Sequence, residues 1–68
     1  MENYKKTREW LVSNGYRHHH RAARKGYCRV AEIGNKVPYS GRWGEGYVVE
    51  CGRYNGSTNY KEIEYWVK

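Results

Sequence analysis

The chain has 68 residues and a mass of 8.1 kDa, and at this length only about 60% of the unfolded surface can be buried, which excludes two independent cores and weighs against a large enzyme cleft. Thirteen Lys and Arg stand against seven Glu and no Asp, a net charge of +6. That balance points to an anionic partner.

Leu, Ile and Val total nine and Phe is absent, an aliphatic content low enough in so charged a chain to suggest disorder. The eleven Tyr and Trp residues answer that suggestion, because each can remove roughly 150–250 Å² from water. A folded domain spanning residues 1–68 with an aromatic core is therefore expected, several tyrosines being left at the surface as contact residues. No apolar run exceeds the length of Tyr47-Val48-Val49, far short of a membrane span or the hydrophobic stretch of a secretory signal. A cytoplasmic chain is expected, with Cys28 and Cys51 as free thiols.

In chain order, Glu2 to Ser13 holds helix-compatible residues with no Gly or Pro. Tyr4, Thr7 or Arg8, and Leu11 fall on one face. Glu2 suits the positive end of the helix dipole, and Asn14-Gly15 supplies a left-handed stop. Trp10 beside this stripe reads as a core anchor. Residues 16–25 read as a strand or as a helix. The shortness of the segment favours the strand, pairing with a further strand from Tyr27 to Ile33 through Ala23-Arg24-Lys25-Gly26. The helical reading rests on Ala22 to Lys25 as good formers with Gly26 as the stop.

After Gly34-Asn35, the residues Pro38, Gly41, Gly44 and Gly46 mark a long loop carrying Tyr39, Arg42 and Trp43. That loop reads either as a contact surface or as a segment whose Trp43 folds back over the sheet. Residues 46–53 and 57–67 are β-branched and aromatic, and Asn55-Gly56 between them is a strong hairpin signal. A two-residue turn places Glu50 opposite Lys61 and Val48 opposite Ile63. A three-residue loop places Val49 opposite Ile63 and Tyr47 opposite Tyr65. The resulting fold class is α+β, an N-terminal helix packed on a three- or four-stranded antiparallel sheet with a C-terminal β-hairpin.

Charge is concentrated. Between Glu9 and Glu32 there is no acidic residue, while Arg17, Arg21, Arg24, Lys25 and Arg29 accumulate beside His18, His19 and His20. As a strand, Arg17, His19 and Arg21 share one face and His18 and His20 the other. A continuous basic strip of this kind suits phosphates, since Arg dominates and offers bidentate contacts. Tyr16 and Tyr27 bracket it, and Tyr39, Trp43 and Tyr54 offer faces for bases. The expected function is a nucleic-acid-binding module that is not an enzyme. Its contacts are Arg17, Arg21, Arg24, Lys25, Arg29, Tyr16, Tyr27, Arg42 and Trp43, with DNA or RNA as partner.

The alternative is a small inhibitor or adaptor docking on an acidic surface or in the nucleic-acid channel of a larger protein. In general style, the small size, tyrosine richness and basic character resemble accessory proteins of phages and mobile elements. A third reading, a small ribonuclease, would require His19 or His20. No nucleophile elbow, phosphate-cradling loop or catalytic Cys signature supports an enzyme. Three histidines and two cysteines invite zinc, but the lone cysteines lack the paired spacing of structural sites, so no metal or other cofactor is expected. An uncovered edge strand leaves monomer and homodimer both open.

Overall fold

Local signals dominate the first fifteen residues. Helix α1 spans Glu2–Ser13 and stops where the sequence says it should. Gly15 adopts φ +85°, Tyr16 N–H donates to the Leu11 carbonyl at 2.9 Å and Gly15 N–H to that of Val12 at 3.1 Å. These are the two bonds of a Schellman cap. The cap turns Tyr16 back against Leu11, which is fully buried and by area alone contributes about 2 kcal/mol. The computed structural model describes residues 2–27, 32–55 and 58–68, and their side chains except those of Glu2, Lys25, Arg53, Tyr54, Asn55, Thr58 and Asn59.

Among the described residues four strands follow: β1 Arg17–Tyr27, β2 Lys36–Gly41, β3 Gly44–Asn55 and β4 Thr58–Val67. They form one antiparallel sheet in the order β1-β4-β3-β2. The protein is thus of the α+β class, with its helix at the N-terminus and a hairpin at the C-terminus. Residues 17–25 take the strand reading, but not the expected hairpin. The chain runs on through Gly26 to Tyr27 as one strand against β4, so no turn forms at residues 23–26. Of the strand expected over 27–33, Tyr27 ends β1 and Glu32 to Gly34 form a turn. Residues 28–31 lie outside the described residues.

The expected loop over 36–46 is instead a hairpin. Pro38 is accommodated because β2 is an edge strand, where the missing N–H costs no ladder bond. Gly41 pairs with Gly44, and Gly44 at φ +117° closes the two-residue turn Arg42-Trp43. In the C-terminal hairpin Asn55 pairs with Thr58, Val48 with Tyr65 and Glu50 with Ile63. Both registers expected from Asn55-Gly56 are therefore corrected. The two-residue version assigns every side chain to the right face, two positions out of step. The three-residue version inverts β4. The connection passes through residues 56 and 57, which lie outside the described residues.

Alternation along the strands gives the sheet two unlike faces. Tyr47, Val49, Cys51, Glu64 and Trp66 face α1, where Leu11, Val49 and Trp66 form a buried cluster edged by Tyr4, Tyr16 and Tyr47. Tyr39, Val37, Val48, Ile63 and Tyr65 lie on the other face, which no helix covers among the described residues. Trp10 is not the core anchor expected. It is 41% exposed, stacked on Tyr16 and set edge-on to Tyr47, with the Lys36 ammonium 4.5 Å from its ring centre.

The turn before β2 docks the helix. Thr7 Oγ1 lies within hydrogen-bond reach of the carbonyls of both Gly34 and Asn3, to either of which its one hydrogen can be donated, and a Cβ on Gly34 (φ +96°) would lie 2.5 Å from backbone atoms of Asn3 and Tyr4. Gly26 has a similar backbone (φ +106°) with nothing within 4 Å. Gly26→Ala should cost about 1–2 kcal/mol in urea unfolding, the price of the left-handed backbone. Gly34→Ala should cost distinctly more, because α1 must also move; equal losses would contradict this docking.

Candidate nucleic-acid interface

The two faces divide the basic segment. β1 carries a register shift between His18 and His20, an extra residue that resets the alternation beyond it. His18 and Arg21 consequently share the helix-side face, pairing with Trp66 and Glu64. Arg17, His20 and Ala22 pair with Val67, Tyr65 and Ile63 on the open face. The expectation that Arg17, His19 and Arg21 share a face is corrected by this bulge, and with it the continuous basic strip.

Glu64 accounts for Arg21. Only 3% of this residue is exposed, and a buried carboxylate must be paired and hydrogen-bonded. Oε2 accepts from Arg21 Nη2 at 2.9 Å and Oε1 from Trp66 Nε1 at 3.1 Å. Tyr4 Oη lies 2.8 and 3.0 Å from the two oxygens. His18 Nε2 stands 3.5 Å from Oε2, and Arg21 also reaches Glu62 at 3.9 Å. This set ties α1, β1 and β4 together, with the Arg21 side chain half exposed at its rim. Arg21 is held in the fold by glutamates from β4. The neighbouring Cys51 is a buried free thiol, pushed up to about 11 by burial and then by the Glu64 carboxylate.

On the open face the picture is different. Trp43, at the tip of the β2–β3 turn, folds back over the sheet and meets Tyr65 edge-on at 4.7 Å between ring centres. His20 lies 4.8 Å from Trp43 and His19 stacks on it at 5.4 Å with planes 27° apart. Tyr39 completes the row against Tyr65 at 5.1 Å. Five rings are thus joined on one surface. Arg42 approaches the Trp43 ring at 5.9 Å. At one end Arg17, His19, Trp43, Val67 and Lys68 line a cleft of about 360 Å³. At the other, Arg24, Lys61, Glu50, Val37, Val48 and Ile63 line a shallow hollow of about 650 Å³, with Lys61 3.1 Å from Glu50.

Of the residues expected at the site, Arg17, Arg24 and Trp43 lie on this face, Arg17 and Arg24 at its opposite ends, and Arg42 stands beside the Trp43 ring. Tyr16 stacks on Trp10 on the helix side. Tyr27 is 73% exposed but sits at the far end of β1 against Tyr60. The Lys25 side chain and all of Arg29 lie outside the described residues, as does Cys28. Tyr65 was not legible as a contact. Its alternation with Glu64 and Trp66 does place it opposite them, but only the true register sets it beside His20 and Val48.

Among the described residues no three His, Cys or Glu side chains converge as a metal site, and no helix is long and apolar enough to cross a membrane. No protein-family model matches the chain, and no curated protein or solved structure is significantly similar to it.

The Glu64 cluster makes a pH prediction. Burial, and after it the hydrogen bond to Glu64, push the Tyr4 hydroxyl up from 10.0 to about 12. A group whose folded pKa is raised gives stability fully present below the unfolded value and lost as pH climbs through the folded one. The Tyr4 contribution should therefore be constant up to about pH 10 and disappear towards pH 12. Thermal melts of Tyr4→Phe should start lower at neutral pH and fall less steeply over that alkaline window than those of the parent. Parallel curves would show that Tyr4 does not carry the effect.

Proposed function

We propose that this protein is a nucleic-acid-binding module, and not an enzyme, that engages its ligand through the open face of the sheet. The observation that carries the reading is the five-ring surface of Tyr39, Tyr65, Trp43, His20 and His19 bordered by Arg17, Arg24 and Arg42. Rings accept bases by stacking, and guanidinium groups beside them accept phosphates. An exposed patch of rings rimmed by polar and charged groups is the usual mark of an interaction site. The net charge of +6 supplies long-range attraction.

Arg21 is excluded from the contact set, since withdrawing it would strand the Glu64 carboxylate. The residues assigned to contact are Arg17, Arg24, Arg42 and Trp43, joined by Tyr39, Tyr65, His19 and His20. Lys25 and Arg29, close in sequence to Arg24, stay in the proposal on their charge.

Fluorescence anisotropy with labelled DNA and RNA at two salt concentrations tests the reading. Affinity should fall with salt, and each of Arg17→Ala, Arg24→Ala and Arg42→Ala should reduce the log-log slope by about 0.7–0.9 without shifting the melt. Absence of binding at low salt would end it and turn attention to an acidic protein surface. Arg21→Ala should instead lower the melting temperature.

A further inference from the structure

The width of the sheet and the placement of Trp43 constrain the kind of nucleic acid more closely than charge does. This step rests on the reading of the open face as a nucleic-acid surface. The four strands lie side by side at about 4.8 Å spacing, so their backbones alone span roughly 15 Å. The major groove of a duplex is only about 12 Å wide and admits a helix or a two-stranded ribbon. The open face cannot enter it. In a duplex, moreover, the flat faces of bases are occupied by their stacked neighbours, and only edges reach the grooves.

What the face presents is suited to flat, unpaired rings. Trp43 is half-buried, steadied edge-on by Tyr65, whereas His19 is exposed and rests on Trp43 with planes 27° apart. The imidazole marks a stacking position beside a fixed indole. It stands on the bulged residue of an edge strand, where no ladder partner holds it. The adjoining open cleft of about 360 Å³ has Arg17 in its wall, a volume at the lower end of small-molecule sites, roughly 300–1,000 Å³. Arg17 is exposed and makes no ion pair among those described.

We propose that the cleft between Trp43 and Arg17 takes one unpaired nucleotide, its base stacked on Trp43 in the place His19 now holds and its phosphate on the Arg17 guanidinium. The ligand class is therefore single-stranded nucleic acid. Contacts to rings are tolerant of base identity, so oligomers of different sequence should bind comparably. The 2′-hydroxyl and the thymine methyl are the features that would distinguish RNA from DNA at this position.

The experiment compares labelled oligouridylate and oligothymidylate, each about ten nucleotides long, with a hairpin duplex of similar charge at one low salt concentration. Both single strands should bind more tightly than the duplex. Trp43→Ala should weaken single-strand binding roughly 10- to 100-fold. Because Trp43 is half-buried, Trp43→Phe serves as a folded control: it keeps a stacking ring and should lose less than the alanine variant. Equal affinity for duplex and single strand, parent affinity in a folded Trp43→Ala variant, or a loss in Trp43→Phe as large as that in Trp43→Ala would overturn the single-strand site and leave the general nucleic-acid reading standing. No binding to any of the three probes would overturn both.

Discussion

A single buried carboxylate organises this molecule. Glu64 sits in β4, one of the two strands that pair on both sides, and it faces the helix. An isolated charge there would be prohibitively costly, so the fold brings it Tyr4 from α1, Arg21 from β1 and the Trp66 indole from its own strand. Breaking such a set by removing one partner typically costs about 3–5 kcal/mol for a fully buried pair. The half-exposed Arg21 places its own share below that range. The demand for Arg21 also explains the bulge. Strict alternation would keep Arg21 on the open face with Arg17, and the extra residue at His19 turns it to Glu64.

That constraint has a consequence on the other side of the sheet. The same bulge delivers His20 to Tyr65 and leaves His19 at the edge, both within reach of the Trp43 indole. One irregularity thus satisfies the core and assembles the aromatic surface. With α1 committed to the helix side through Leu11 and the Thr7–Gly34 contact, the open face is paved by rings and alkyl groups and rimmed by arginines. Contact is proposed for that face, and the Glu64 cluster, whose buried side-chain polar atoms all have partners among the described residues, is read as holding the fold together.

Short-range features were readable from sequence. α1 matches its expected limits because its stop is encoded by Asn14-Gly15, and the C-terminal hairpin is found where alternating β-branched and aromatic residues flank a turn signal. Features that depend on distant partners were not. Pro38 and three glycines imitate a loop unless one knows that β2 lies at an edge. The hairpin register depends on which residues lie across the ladder and not on the strongest turn dipeptide. The division of the basic segment required knowing that β1 pairs with β4, fifty residues further on at Arg17 and Val67, and that a carboxylate waits there. Of the site residues singled out by composition, Arg17, Arg24 and Trp43 share the open face and Arg42 stands beside the Trp43 ring. Tyr16 and Arg21 belong to the helix side, for reasons of packing and charge that no local window contains.

Two-dimensional NMR of the isotopically labelled protein, titrated with a single-stranded oligonucleotide, addresses the open face directly. The Trp43 indole N–H and the amides around Tyr39, His20 and Tyr65 should shift progressively, while the Trp66 indole N–H, bonded to Glu64 at 3.1 Å, stays in place. Shifts confined to α1 and the Glu64 side, with Trp43 unmoved, would contradict the assignment of function to the open face.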